Sequence, residues 1–194
     1  MLYVKTGPRQ KLFSLCNNWA MSLRVTRSLL RKEHIELPSG LYVERRATVT
    51  VDDHPESGFE LKMKVEFDET VQRLVARDVS VRATEKGLEV SGTILRAVRV
   101  QELLQQAGLL LVSKRSEGIS GAEIGVSEIF KSYRENADEH KKSPKAASEI
   151  YVVATVLNYP PLKTISDILG VSQSTATRLV AVARALGLLG DPHG

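Results

Sequence analysis

The sequence predicts an α+β fold: an N-terminal helix and a small antiparallel β-meander, followed by an all-helical domain with a helix-turn-helix. Three observations predict it. Phe59, Leu61, Met63, Val65 and Phe67 alternate strictly with Glu60, Lys62, Lys64 and Glu66, the period of a strand with one wet face. From Ser120 onward the apolar residues recur at helical spacing instead. Between these patterns, Ser113–Gly121 (SKRSEGISG) is polar and glycine-containing, as a linker would be. The expected division is therefore residues 1–112, a linker at 113–121, and a helical domain at 122–194.

Taken in order, Leu12–Lys32 reads as a helix, with Leu12, Leu15, Cys16, Trp19, Leu23 and Leu30 near helical spacing and Asn17, Arg24, Arg27 and Arg31 largely elsewhere around the turn. Such a stripe packs on a neighbouring domain, or else serves as a basic arm on DNA or as a membrane-surface helix. Pro38-Ser39-Gly40 closes the region with turn residues. Ala47, Val49 and Val51 alternate before the Phe59 strand, and Val75, Val79, Val81 and Ala83 lie in a strand-like run after it. The breaks at Asp52–Gly58 and Glu85–Gly87 read as turns between antiparallel strands, with a further short strand at Leu88–Ser91. The N-terminal helix and Val100–Ala107 (stripe Val100, Leu103, Leu104, Ala107) are the candidates to cover the apolar face of this sheet.

Ser120 and Glu123 have capping-box spacing, so a helix is expected to start there, with Val126, Ile129, Phe130, Tyr133 and Ala137 on its apolar face. It should end near Asp138–Lys142. Ser143-Pro144 predicts the next helix entry, serine as cap and proline at the first position. Lys145–Asn158 is apolar on nearly every side and must be buried, in its own domain or against a partner. Pro160-Pro161 breaks it. Then come a short helix at Lys163–Leu169, a turn at Gly170-Val171-Ser172, and a longer helix at Gln173–Leu186 ended by Gly187. Two helices meeting at a steep angle need a small residue, Ser166, at their approach. They also need a glycine for the turn, and Ile165, Leu169, Val171, Ala176 and Leu179 to fill the angle.

The run from Ile165 to Ala176 (I-x-x-x-L-G-V-S-x-S-T-A) resembles the helix-turn-helix segments of bacterial transcription regulators. Arg184–Leu189 (RALGLL) is also similar to regulators with a further element after the recognition helix. More loosely, the chain looks like small uncharacterised actinobacterial or actinophage proteins with a C-terminal helix-turn-helix. The strong resemblance covers about 30 residues. It implies a second helix lying in the major groove of double-stranded DNA, with Gln173, Ser174, Thr175 and Thr177 as base readers and Arg178 close behind. Ser172 is then the cap, Lys163 and Thr164 open the preceding helix toward a phosphate, and Arg184 is a weaker phosphate candidate. After Leu189 only Gly-Asp-Pro-His-Gly remains, so a wingless module is expected.

Charge complicates this expectation. The chain carries 27 basic and 23 acidic residues, a net +4. Met1–Gly40 holds seven basic residues against two acidic ones, whereas Lys163–Leu189 holds three against Asp167. A reader with so few cations should bind weakly unless a basic arm or dimerisation adds affinity. A homo-oligomer is expected on that ground. The rival reading is an assembly or adaptor protein that uses the helix pair and the apolar 145–158 helix as contact surfaces.

Enzymatic signals are few. His34, His54, His140 and His193 lack paired ligand spacing, Cys16 has no nearby base, and no glycine-rich phosphate loop is present. Asp53 with Glu60-Leu61-Lys62 has the acid and E-x-K order of metal-dependent nucleases, but Lys64 and Glu66 continue the same alternation and make a plain wet face. No catalytic residue, metal or cofactor is expected. A single cysteine excludes an internal disulfide. No apolar run reaches the ~20 residues of a bilayer span, and MLYVKTGPRQ lacks a signal-peptide core, so a cytoplasmic protein without membrane partners is expected.

Overall fold

The structure, a computed structural model, describes residues 23–27, 33–51, 58–115 and 123–190. Among these residues it is an α+β fold with two four-stranded antiparallel sheets and a helical C-terminal region. The first sheet has the order β1 (Leu23–Arg27), β4 (Arg46–Val51), β5 (Phe59–Asp68), β6 (Arg73–Ala83). The second has the order β2 (His34–Leu37), β3 (Leu41–Glu44), β7 (Val112–Arg115), β8 (Glu123–Gly125). Only Arg45 separates β3 from β4, so one nearly continuous stretch of chain serves both sheets. The predicted alternation holds: Val49, Val51, Leu61, Met63, Val65 and Phe67 are buried, while Lys62 and Lys64 face solvent.

Two expectations for the N-terminal half are corrected. Leu23–Arg27 is not helical but pairs with β4, from Leu23 opposite Val51 to Arg27 opposite Ala47. Its sequence LRVTR carries β-branched Val25 and Thr26, and a partner strand some 24 residues on supplies the ladder that a helical count cannot register. The rest of the 12–32 helix, with Cys16, Trp19 and Arg31, lies outside the described residues. Leu88–Ser91 is not a strand; it leads into α1 (Gly92–Ala97), which Ser91 caps by accepting from the Ile94 N–H.

Helix α2 (Val100–Leu111) buries Leu103, Leu104, Ala107 and Leu111 and lies against β1 and β6 of one sheet and β7 and β8 of the other. The linker expected at 113–121 begins as a strand: Ser113–Arg115 belong to β7, which pairs with β3 and β8. Glu123 is in β8 rather than in a capping box, and α3 (Val126–Glu135) starts from Gly125 without a side-chain cap. The polar residues Ser113, Lys114 and Arg115 thus belong to an interior strand of the second sheet, and 116–122 lie outside the described residues. One buried cluster then runs unbroken from Leu37 through Leu111 and Phe130 to Val180.

The helical region comprises α3, the short α4 (Ala137–His140), α5 (Pro144–Val156), α6 (Pro161–Leu169) and α7 (Gln173–Ala185). Ser143 caps α5 as expected, its Oγ accepting from the Ala146 N–H. Helix α5 is buried within this chain, from Ala146 and Ala147 through Ile150 and Val153 to Val156. Along the helix, Lys145 and Thr155 are exposed and Tyr151 is half-buried.

Three contacts fix α5 to the sheets. At Gly108 in α2 an added Cβ would run into the Leu157 side chain and stand 3.2 Å from Leu74 Cδ1, so a larger residue there must push these buried leucines aside. Asn158, in a left-handed conformation (φ 56°), accepts from Arg73 Nη1 at 3.1 Å and offers its carbonyl to Gln105 Nε2 at 3.3 Å. Ser39, in the turn between β2 and β3, places its Oγ 3.0 Å from Ser148 Oγ and 2.7 Å from the Leu188 carbonyl just beyond α7.

Candidate nucleic-acid interface

The site is built from the turn between α6 and α7. Pro161 occupies the first turn of α6, where its missing N–H costs nothing. Gly170 ends the helix at φ 63°, and a Cβ there would meet no atom within 4 Å, so backbone conformation alone demands glycine. Ser166 latches this turn: its hydroxyl donates to the Val171 carbonyl, and its own carbonyl accepts from the N–H groups of Gly170 and Val171. Ser172 then caps α7, its Oγ accepting from the Thr175 N–H at 3.2 Å.

Helix α7 has two distinct sides. Ala176, Leu179, Val180 and Ala183 are buried against the bundle. Gln173, Ser174, Thr177 and Arg178 are exposed, and the pairs 173/177 and 174/178 are one turn apart on neighbouring rows. Toward the C-terminal end the exposed face changes character, with Ala181, Val182, Ala185 and Leu186 outward. The face is thus polar over its first turns and apolar over its last.

Among the residues named from sequence, the structure separates those able to reach a ligand from those already engaged. Gln173 and Arg178 are exposed on α7, and Lys163 is exposed in the first turn of α6. Ser174 is exposed, with its Oγ 2.8 Å from Ser172 Oγ. Ser172 also has Thr175 Oγ1 at 3.0 Å, and Thr175 is half-buried. These hydroxyls form a cluster that steadies the start of α7. Thr177 donates its hydroxyl to the Gln173 carbonyl at 2.9 Å. Thr164 is buried and donates to the Pro160 carbonyl at 3.0 Å, so it shapes the α6 entry and does not face outward. Arg184 donates to Tyr151 OH at 3.1 Å with its guanidinium over the same ring, which braces α7 on α5.

Two contributions were not legible from the motif. Arg134 of α3 is half-buried, and burial lowers its pKa, while the charge of Asp167 opposes that shift. The single acid of the helix pair therefore lies in the field of a cation from outside it. The second is Glu149, fully buried in α5. Its carboxylate accepts from Lys114 Nζ of β7 at 2.6 Å and from Tyr133 OH of α3 at 2.7 Å. Burial, then the bond to Glu149, push the Tyr133 phenol well above its ordinary range. A lone glutamate inside an apolar run was the available signal; its partners, 35 and 16 residues away, gave none.

Elsewhere, Glu60 and Lys62 pair with each other at 3.0 Å, and Lys64 pairs with Asp78 at 3.1 Å, so the outer sheet face is charge-balanced by its own residues. Asp53 lies outside the described residues, as do His54 and His193. His34 Nε2 is 2.9 Å from Glu44 Oε1, and the His140 ring packs edge-on against Tyr133. Among the described residues no group of three or more His, Cys, Asp or Glu could hold a metal ion, and no helix is long and apolar enough to cross a membrane. In comparisons with known proteins the chain matches no family model, no curated relative and no solved structure.

Proposed function

We propose that this protein binds double-stranded DNA sequence-specifically, as a transcriptional regulator that lays α7 in the major groove. The observation that carries the reading is the exposed polar start of α7, Gln173, Ser174, Thr177 and Arg178, held rigid by a buried opposite face and a glycine turn. An α-helix fits the major groove, Gln pairs bidentately with adenine, and Arg reads guanine or holds a phosphate. Lys163, exposed in the first turn of α6, adds only one further cation, so the salt dependence of binding should be shallow for a single copy. A dimer acting in the cytoplasm, with two such readers on one site, completes the proposal.

Selection from a random duplex pool tests it. The whole chain must be used, because Glu149, Asn158 and Ser39 tie the helices to the sheets. Enrichment of one sequence family, with affinity falling on Gln173→Ala and Arg178→Ala by about 1–3 kcal/mol each, supports the reading. No enrichment, or enrichment that the double variant shares in full, ends it. The exposure of Val182 (42%) and Leu186 (62%) favours one second reading, an assembly protein that docks through the far end of α7. In that case Val182→Asp would abolish complex formation and the Gln173 and Arg178 variants would be silent.

A further inference from the structure

We infer that Thr177 is a specificity determinant that reads the C5 methyl of a thymine with its own methyl group, and not a hydrogen-bonding base reader. This inference rests on the DNA-binding reading above. Thr177 is exposed on the same row as Gln173, one turn further along α7. Its hydroxyl proton is committed to the Gln173 carbonyl at 2.9 Å. Turning that hydroxyl toward a base would forfeit this bond. The bond leaves the oxygen able only to accept, whereas the γ-methyl is free to make an apolar contact without disturbing it. In the major groove only thymine presents an apolar partner, its C5 methyl. The neighbouring side chains do not compete for this role: Ser172 and Ser174 have no methyl group, Thr175 is half-buried with its hydroxyl 3.0 Å from Ser172 Oγ, and Gln173 and Arg178 carry only polar ends. Four residues advance the helix by about 6 Å, so the thymine should lie within about two base pairs of the base that Gln173 contacts.

The experiment uses the full chain and the duplex recovered by selection, with each thymine replaced in turn by deoxyuridine, which removes the methyl and leaves the pairing edge intact. Wild type, Thr177→Val and Thr177→Ser are titrated against each duplex, with thermal melts confirming that all three fold. Wild type should lose about fourfold in affinity at one thymine, the worth of one methyl group removed from contact with water. The valine variant, which keeps a methyl and lacks the hydroxyl, should lose as much at the same position. The serine variant should bind the two duplexes equally. Selective binding with no thymine sensitive to the exchange overturns the inference and leaves the DNA reading standing. Discrimination kept by serine, or lost in valine, overturns it by assigning the contact to the hydroxyl. Failure to recover any duplex refutes both together.

Discussion

Helices α5 and α7 each run thirteen residues, and each starts from a serine whose Oγ accepts a backbone N–H three residues on. Their surroundings differ. Helix α5 buries residues all round its axis and contacts α6, α7, β6 and the turn at Pro38–Gly40. Helix α7 buries one stripe and leaves the rest to solvent. The difference separates two tasks within one bundle. A helix packed on nearly every side can hold its neighbours in place. A helix packed on one side can present a face, and that face is only as well placed as its support. Arg184 on Tyr151 and Ser39 at the Leu188 carbonyl are where the support reaches the presenter.

The contrast can be broken from the α5 side first. Glu149→Ala leaves Lys114 and Tyr133 without their buried carboxylate, and about 3–5 kcal/mol of stability should be lost in urea unfolding. A loss under about 1 kcal/mol would show that α5 holds without this hub. Gly108→Ala drives a methyl into Leu157 and Leu74, and should cost about 1–3 kcal/mol by the same measurement, as overpacking does. An unchanged midpoint would mean that α2 and α5 can move apart freely.

In the turn between α6 and α7, Gly170→Ala has open space but the wrong backbone conformation. It should cost about 1–2 kcal/mol from φ alone. A stabilised variant would count against the left-handed turn. Tyr133→Phe should cost about 1 kcal/mol near neutral pH by removing one hydrogen bond to Glu149. It should also alter the alkaline limb. The folded-state pKa of Tyr133 lies above the unfolded value near 10.0, so its contribution is complete below pH 10 and is lost as pH rises further. The stability of wild type should therefore fall more steeply above pH 10 than that of Tyr133→Phe, and parallel curves would contradict the burial of this phenol.

The smallest stability effect belongs to the presented face. Gln173→Ala and Arg178→Ala should each shift stability by no more than about 0.5 kcal/mol, as exposed substitutions do. A loss above about 1 kcal/mol would place those side chains in the support rather than on the reading face.

Much of the candidate site was readable in advance because its determinants are local. Ser143 before Pro144, Pro160-Pro161, Gly170 and the Ser172 cap each act within four residues of themselves, and the helices they delimit stand within two residues of the expected bounds. Thr164 shows where that reasoning stops. Its position in the first turn of α6 was correct, but whether its side chain turned outward depended on Pro160 and on the bundle packed behind it. Arg184 is a similar case, since its partner Tyr151 lies 33 residues earlier.

The sequence by itself determined the α+β class, the alternating faces of β4 and β5, and the helix-turn-helix with its caps. Periodicity and capping are written in neighbouring residues, so they survive without knowledge of the fold. Only the tertiary structure decided that Leu23–Arg27 would be a strand, that Ser113–Arg115 would join a sheet instead of a linker, and that Glu149 would tie β7 to α3 and α5. Each of these depends on partners distant along the chain. A strand gains its hydrogen bonds, and a buried carboxylate its counter-charge, only when the fold brings those partners together.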